Sequence, residues 1–230
     1  MNQKSSRIEY CLCIDLDDTL YNEFEYVRSG YKSIIKYFKK DKKIRIKKLP
    51  KKKTIIENRK KHLQIFLESN KINSLSKKFL IKIIRNHKPL IRISKKNIEK
   101  LALLKKHFKT LILITNGRST TQRNKIKSLK ITKYFDKILI SDEIGAKKPN
   151  IKIYQNIFKE FPNTRKVFIG DNFKIDLSTP IFLNEKTILI KNRKNRIHEL
   201  DEKEFNFKKI NLKYENFHNI KINDIKKLFY

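Results

Sequence analysis

Acidic residues are scarce in this chain of 230: 23 Asp and Glu stand against 57 Lys and Arg, a formal net charge of +34. An excess of that size points first to nucleic acid as a partner. Its distribution argues otherwise. Lysine far outnumbers arginine, the charge runs from Lys32 to Lys227, and Ile and Asn are abundant as well. Codons for Lys, Ile and Asn are rich in A and T, so an AT-biased genome yields this composition without selection for a partner. Nucleic acid is therefore expected only as a weak, salt-sensitive electrostatic contact, whereas the same field concentrates small anionic substrates. Cysteine is almost missing too. Cys11 and Cys13 lie two apart on one strand-like run and face the same way, which disfavours a bond between them and excludes a disulfide framework. Buried thiols of this kind suit a reducing compartment. No run approaches the roughly twenty apolar residues that cross a bilayer, and no apolar segment precedes Cys11. A soluble cytoplasmic protein is expected. There is no internal repeat, and His62, His87, His107, His198 and His218 lack the spacing of a metal-binding set.

What is present is a series of polar segments, each following an apolar, β-branched run. Asp15-Leu16-Asp17-Asp18-Thr19-Leu20 directly follows Cys11-Leu12-Cys13-Ile14, placing three carboxylates at a strand end. Carboxylates so close repel one another in a half-buried site unless a cation offsets them, and a hard divalent ion such as Mg²⁺ prefers such oxygens. A solvated turn or a helix N-cap is the plainer alternative for this stretch alone. Leu111-Ile112-Leu113-Ile114 runs into Thr115-Asn116-Gly117, a tip able to hold an anion or merely to start a turn. Lys147-Lys148-Pro149 comes after the strand-like stretch from Lys137 to Ser141 and before a helix capped by Asn150, so Lys148 is either fixed near a phosphate or one more surface lysine. Val167-Phe168-Ile169 ends in Gly170-Asp171, with Asp176 little more than one helical turn on.

Between the first and second of these segments, apolar residues recur at helical spacing. Tyr26, Ile34 and Phe38 mark one amphipathic stretch, Ile55, Leu63, Phe66 and Leu67 a second, Phe79, Leu80 and Ile83 a third, with Pro50 and Pro89 as breaks and Lys39 to Lys53 as an exposed connection. The insertion, residues 22–93, reads as a small helical cap; residues 1–21 and 94–230 make the other domain. There the periodicity predicts a helix over 95–108, a helix opening near Ser119, helices over 150–161 and near Ile175, and a strand over 187–190. This βα alternation predicts an α/β fold with a largely parallel sheet covered on both faces. The tail from Lys191 reads as a short strand near 210–213 and a helix near 223–229, without recognisable chemistry.

Taken in order, an aspartate pair, a Thr/Asn/Gly tip, a Lys-Pro and a Gly-Asp with a trailing Asp resemble the four motifs of the haloacid dehalogenase superfamily of phosphohydrolases, from about Cys11 to about Ile190. The resemblance implies a Rossmann-like core with a helical cap and a Mg²⁺-dependent phosphatase of small phosphorylated metabolites, sugar phosphates or nucleoside monophosphates. It makes Asp15 the nucleophile that becomes an aspartyl-phosphate, Asp17 the general acid and then base, and Lys148 the counter-charge. Thr115, Asn116 and Gly117 would bind the phosphoryl group. Asp15, the Leu16 carbonyl, Asp171 and Asp176 would hold the metal. Asp18 and Thr19 are expected to hydrogen-bond locally and brace the turn. Tyr21 and Arg28, near the cap entrance, would bear on substrate choice. Dehalogenases of this type lack an aspartate at position 17, because no alkoxide must be protonated, so its presence favours phosphoryl chemistry. A phosphomutase of the same fold is the alternative.

Overall fold

The computed structural model describes residues 8–39, 46, 48–58, 61–73, 76–191 and 209–230. Strand β1 (Ile8–Ile14) lies at the centre of a parallel sheet, flanked by β2 (Phe108–Thr115) and β4 (Arg165–Gly170). Strands β3 (Lys137–Ile140), β5 (Lys186–Ile190) and β6 (Leu212–Tyr214) complete the order β3-β2-β1-β4-β5-β6. The chain steps outward from β1 to β3, then crosses back to place β4 on the other side of β1. Reversals of this kind open a crevice at the carboxyl ends of the strands.

The strands are apolar on both faces, as a sheet covered twice requires. Tyr10, Leu12 and Ile14 of β1 join one core with helices α5 (Lys95–His107) and α6 (Ser119–Leu129). Cys11 and Cys13 point the other way, into a second core against Tyr154 of helix α8 (Ile151–Glu160). They are buried thiols with Sγ atoms 3.8 Å apart. Between β3 and α8 lies the short α7 (Ser141–Ile144), and after β4 comes α9 (Ser178–Phe182). The chain ends on α10 (Ile222–Lys227), whose buried Ile225 packs into the first core.

The segment between β1 and α5 folds as α1 (Glu23–Phe38), α2 (Lys52–Glu57), α3 (His62–Ser69) and α4 (Lys77–Asn86). Its buried residues, among them Tyr31, Ile34, Phe38, Phe66 and Leu80, form a third core of their own. Side chains cap these helices where the sequence offers a short polar residue: Asn22 accepts from Phe24 N–H and Ser76 from Phe79 N–H. The periodicity from Ile55 to Leu67 suggests one continuous helix, but the chain makes two, because the Asn58 carbonyl turns back to accept the N–H groups of both Lys61 and His62. Part of the lysine-rich connection, residues 40–45 and 47, lies outside the described residues, as do His198 and much of the tail, 192–208. The helix expected near Ile175 is a π-helical turn, Phe173–Leu177, that runs into α9. Phe108, placed in a helix by its apolar spacing, is instead the first residue of β2.

Candidate active site

Strand β1 delivers Asp15 to the carboxyl edge, where its N–H donates to the Ile169 carbonyl of β4 at 2.9 Å. The chain then turns sharply. Asp18 takes a left-handed backbone, φ 56°, which aspartate tolerates better than most residues, and its Oδ1 accepts Glu23 N–H at 2.8 Å. That is the bracing role its sequence position suggests. One neighbour departs from expectation: the buried Thr19 Oγ1 has no hydrogen-bond partner among the described residues, so it does not brace the turn. The Leu16 carbonyl, expected to help hold a cation, accepts Leu20 N–H at 3.0 Å, which closes the turn and uses one of its two lone pairs. The same turn brings Tyr21 back beside Asp17, and its phenol donates to Asp17 Oδ1 at 2.6 Å.

On one side of this turn lies Lys148, which is buried. Its ammonium donates to Asp15 Oδ1 at 2.6 Å, Asp176 Oδ1 at 2.7 Å and the Ile114 carbonyl at 3.0 Å, using all three of its protons. Asn116 holds the lysine in place from below: its amide donates to the Lys148 carbonyl at 3.0 Å and its Oδ1 accepts Lys148 N–H at 2.8 Å. Asp176 is held by Asn172 N–H, which donates to its Oδ2 at 2.9 Å. Gly170 makes room for it, since a Cβ at that position would sit 2.4 Å from the Asp176 Cβ. Asp15, Asp171 and Asp176 each present a carboxylate oxygen within 4.8 Å of the others, all buried. Burial pushes Asp15 up to about 7 despite the pull of Lys148, with Asp176 adding to the rise. Lys148 is held above its usual range, the two carboxylates outweighing its burial.

Asp17 sits in a different setting. Lys125 Nζ donates to its Oδ1 at 2.7 Å, and Gln122 Nε2 to its Oδ2 at 2.9 Å. Burial alone would raise its pKa, but the Lys125 ammonium and the three donated hydrogen bonds hold it below the usual carboxylate range. Gln122 also donates to Thr115 Oγ1 at 2.6 Å, so one amide ties the aspartate to the tip of β2. Sequence reasoning missed Gln122 and Lys125. The signal was there: both occupy the buried stripe of α6 with Ile126 and Leu129, where a packing helix ordinarily carries apolar residues.

Thr115 is fully buried at the tip of β2, beside Asp17 through this amide. Gly117 has φ 147°, a conformation that favours glycine, and its N–H donates to Ser141 Oγ at 2.9 Å. A cleft of about 400 Å³ opens above Asp17, Asn116 and Gly117, walled by Tyr26 and Ile84 of the helical segment. Tyr21 reaches the site through Asp17. Arg28 does not line the cleft: its guanidinium is half exposed and lies 3.5 Å from Glu25, one turn back on α1.

Residues 12–190 match the family described as haloacid dehalogenase-like hydrolase. Among curated proteins, the chain is 31% identical over 107 residues to the glyceraldehyde 3-phosphate phosphatase of Pyrococcus furiosus, covering 46% of this chain and 45% of that one. It is 34% identical over 68 residues to a pyrimidine 5'-nucleotidase of Escherichia coli, covering 28% of this chain and 30% of that one. The matches thus span less than half the length of either relative. A HAD-superfamily hydrolase, subfamily IA, of Geobacter sulfurreducens shares the fold at a TM-score of 0.64 and 14% identity, over 96% of both chains. The four motifs converge on one sheet edge inside the matched region, and this chain belongs to the haloacid dehalogenase-like hydrolase family.

Proposed function

We propose that this chain is a Mg²⁺-dependent phosphatase that hydrolyses a small phosphorylated metabolite, a sugar phosphate or a nucleoside monophosphate, through an aspartyl-phosphate. The observation that carries the reading is the division between two aspartates two residues apart: Asp15 faces Lys148 and the carboxylates of Asp171 and Asp176 that follow β4, while Asp17 faces Lys125, Gln122 and Tyr21. A phosphatase of this kind needs two separate carboxylates, because the phosphorylated one cannot also carry the proton. Residues 22–93 act as a helical cap on a core made of 1–21 and 94–230, and the buried thiols of β1 suit a cytoplasmic setting.

The donor set fits a hard divalent ion. Three buried carboxylates lie together with one ammonium among them, a balance that favours a further cation with oxygen preference. Asp15, Asp171 and Asp176 would hold Mg²⁺, with the Leu16 carbonyl, which has a second lone pair besides the one Leu20 N–H uses, as a further ligand. When bound, Mg²⁺ supplies charge neutralisation between the carboxylates and the phosphoryl oxygens.

The remaining roles fall to the chain. Thr115 Oγ1 accepts from Gln122, which leaves its own proton free to donate to a phosphoryl oxygen beside Asn116 N–H. An oxygen of Asp15 attacks phosphorus, the bond to the leaving alkoxide breaks, and Asp17 gives that alkoxide a proton. Asp17 takes the proton up when the phosphoryl dianion arrives, since nearby negative charge favours its neutral form. Water then attacks the aspartyl-phosphate while Asp17, again a carboxylate, removes its proton. Lys148 stabilises the charge on Asp15 and the transferred group throughout.

Purified protein with Mg²⁺ is expected to release phosphate from a panel of phosphorylated metabolites. Asp15→Asn should lower turnover by about 10³-fold or more. Chelation should abolish it and added Mg²⁺ restore it; full activity in Asp15→Asn would sink the reading.

A further inference from the structure

Two arginines line the cleft that Asp17 borders, and the phosphoryl chemistry uses neither. Arg85 comes from the last turn of α4 and Arg118 from the residue just before α6, so the two helices on either side of the opening contribute one each. Both also border the adjoining groove of about 920 Å³ along α4. Neither guanidinium has an ion-pair partner among the described residues. The carboxylates that share the cleft are already engaged: Asp17 and Glu23 lie 2.7 and 3.8 Å from Lys125.

Composition sharpens the point. Only 11 of the 57 basic residues are arginine, so a pair of them on one cleft is the rarer choice of cation in this chain. A planar guanidinium differs from an ammonium in binding carboxylate or phosphate through paired hydrogen bonds. The same cleft carries an aliphatic wall of Val27, Ile81 and Ile84. We infer that the substrate is a phosphomonoester with a second anionic group, carboxylate or phosphate, separated from the first by a short carbon chain, and that Arg85 and Arg118 bind that second anion.

As a statement about substrate, this rests on the phosphatase reading, but binding tests it without turnover. Three phosphonates of matched length serve as probes with Mg²⁺: phosphonopropionate and ethylene bisphosphonate, which end in an anion, and propylphosphonate, which ends in a methyl group. In calorimetric titration at physiological salt, at least one anionic probe should bind about tenfold or more tighter than propylphosphonate. Whichever of the two binds tighter names the second group. The advantage should shrink to about threefold or less in Arg85→Ala and in Arg118→Ala and return in part in Arg118→Lys. Thermal unfolding verifies that each variant is folded. Lys159→Ala on α8, beyond the sheet, should leave the advantage as it is and so gauges the effect of overall charge. Equal binding of the three probes, or an advantage that persists in both alanine variants, overturns the inference. Absence of phosphate release from every substrate would instead overturn the phosphatase reading and leave an anion preference, if measured, standing.

Discussion

Gln122 Nε2 spends its two protons on Thr115 Oγ1 and Asp17 Oδ2, so the positions of that hydroxyl and that carboxylate depend on one amide. Gln122→Ala should leave the fold intact and lower kcat about 10- to 100-fold, the usual cost of a misplaced catalytic group, with a smaller change in KM. Steady-state kinetics measures both. Gly117→Ala should do the same by another route, because its Cβ would lie 2.9 Å from Gln122 Cγ and Cδ at a φ few side chains adopt. Lys125 differs in kind. Its ammonium is buried against Asp17 and Glu23, and also lies 4.4 Å from the Tyr26 ring centre. Removing one partner of a buried pair leaves the other uncompensated, so Lys125→Met should lower unfolding free energy by about 3–5 kcal/mol in a urea titration.

Among the elements, α1 and the end of α4 are joined by a small polar knot. His87 Nδ1 faces the Ile84 carbonyl at 2.5 Å, and since a carbonyl only accepts, that nitrogen carries the proton. Its Nε2 is then the acceptor for the Ser29 hydroxyl at 3.0 Å, while Ser29 Oγ accepts Leu90 N–H at 2.7 Å. Burial holds His87 below the usual histidine range, and it does the same to His62 and His218. A histidine with a lowered folded pKa leaves the unfolded chain to take the proton first. Its stabilisation is present above the unfolded value near 6.5 and is lost as pH falls through that value. Between about pH 7 and about pH 5.5 these histidines therefore lower the unfolding midpoint, while Asp15, pushed up to about 7, works in the opposite direction, so the histidine share is read as a difference between proteins. Relative to wild type, His87→Asn should lose less stability over that fall in pH, by the share of one histidine, and an identical pH dependence would refute the assignment.

For the whole molecule, a charge of +34 surrounds the cleft proposed to receive an anionic substrate. Capture of substrate should then weaken with salt while the buried chemistry does not. Raising ionic strength from about 10 to about 150 mM shortens the screening length from about 30 to about 8 Å, and kcat/KM should fall about tenfold with kcat nearly constant. A parallel fall in kcat would place the effect inside the site rather than in the approach to it.

Much of this was legible in the sequence because strand ends announce themselves. Apolar β-branched runs that stop at Asp15, Thr115 and Gly170-Asp171 define a sheet edge, and the alternation along β1, β2 and β4 fixes two covered faces. Lys148 and Asp176 were readable as well, since motif order and spacing carry them. Gln122 and Lys125 show where that reading ends. They lie 105 and 108 residues from Asp17 in the chain, and only the packing of α6 on the sheet brings them to it. Arg28 failed for the converse reason. A helix shows which residues share a face, but which face meets the cleft follows from docking against α4 and α6, and that docking gave Arg85 and Arg118 the positions that sequence proximity had suggested for Arg28. The sequence by itself determined the sheet, its edge and the polar residues that gather at that edge, because those depend on local period and chain order. The tertiary structure decided which cations partner each aspartate and what lines the cleft, because those depend on contacts between elements distant in the chain.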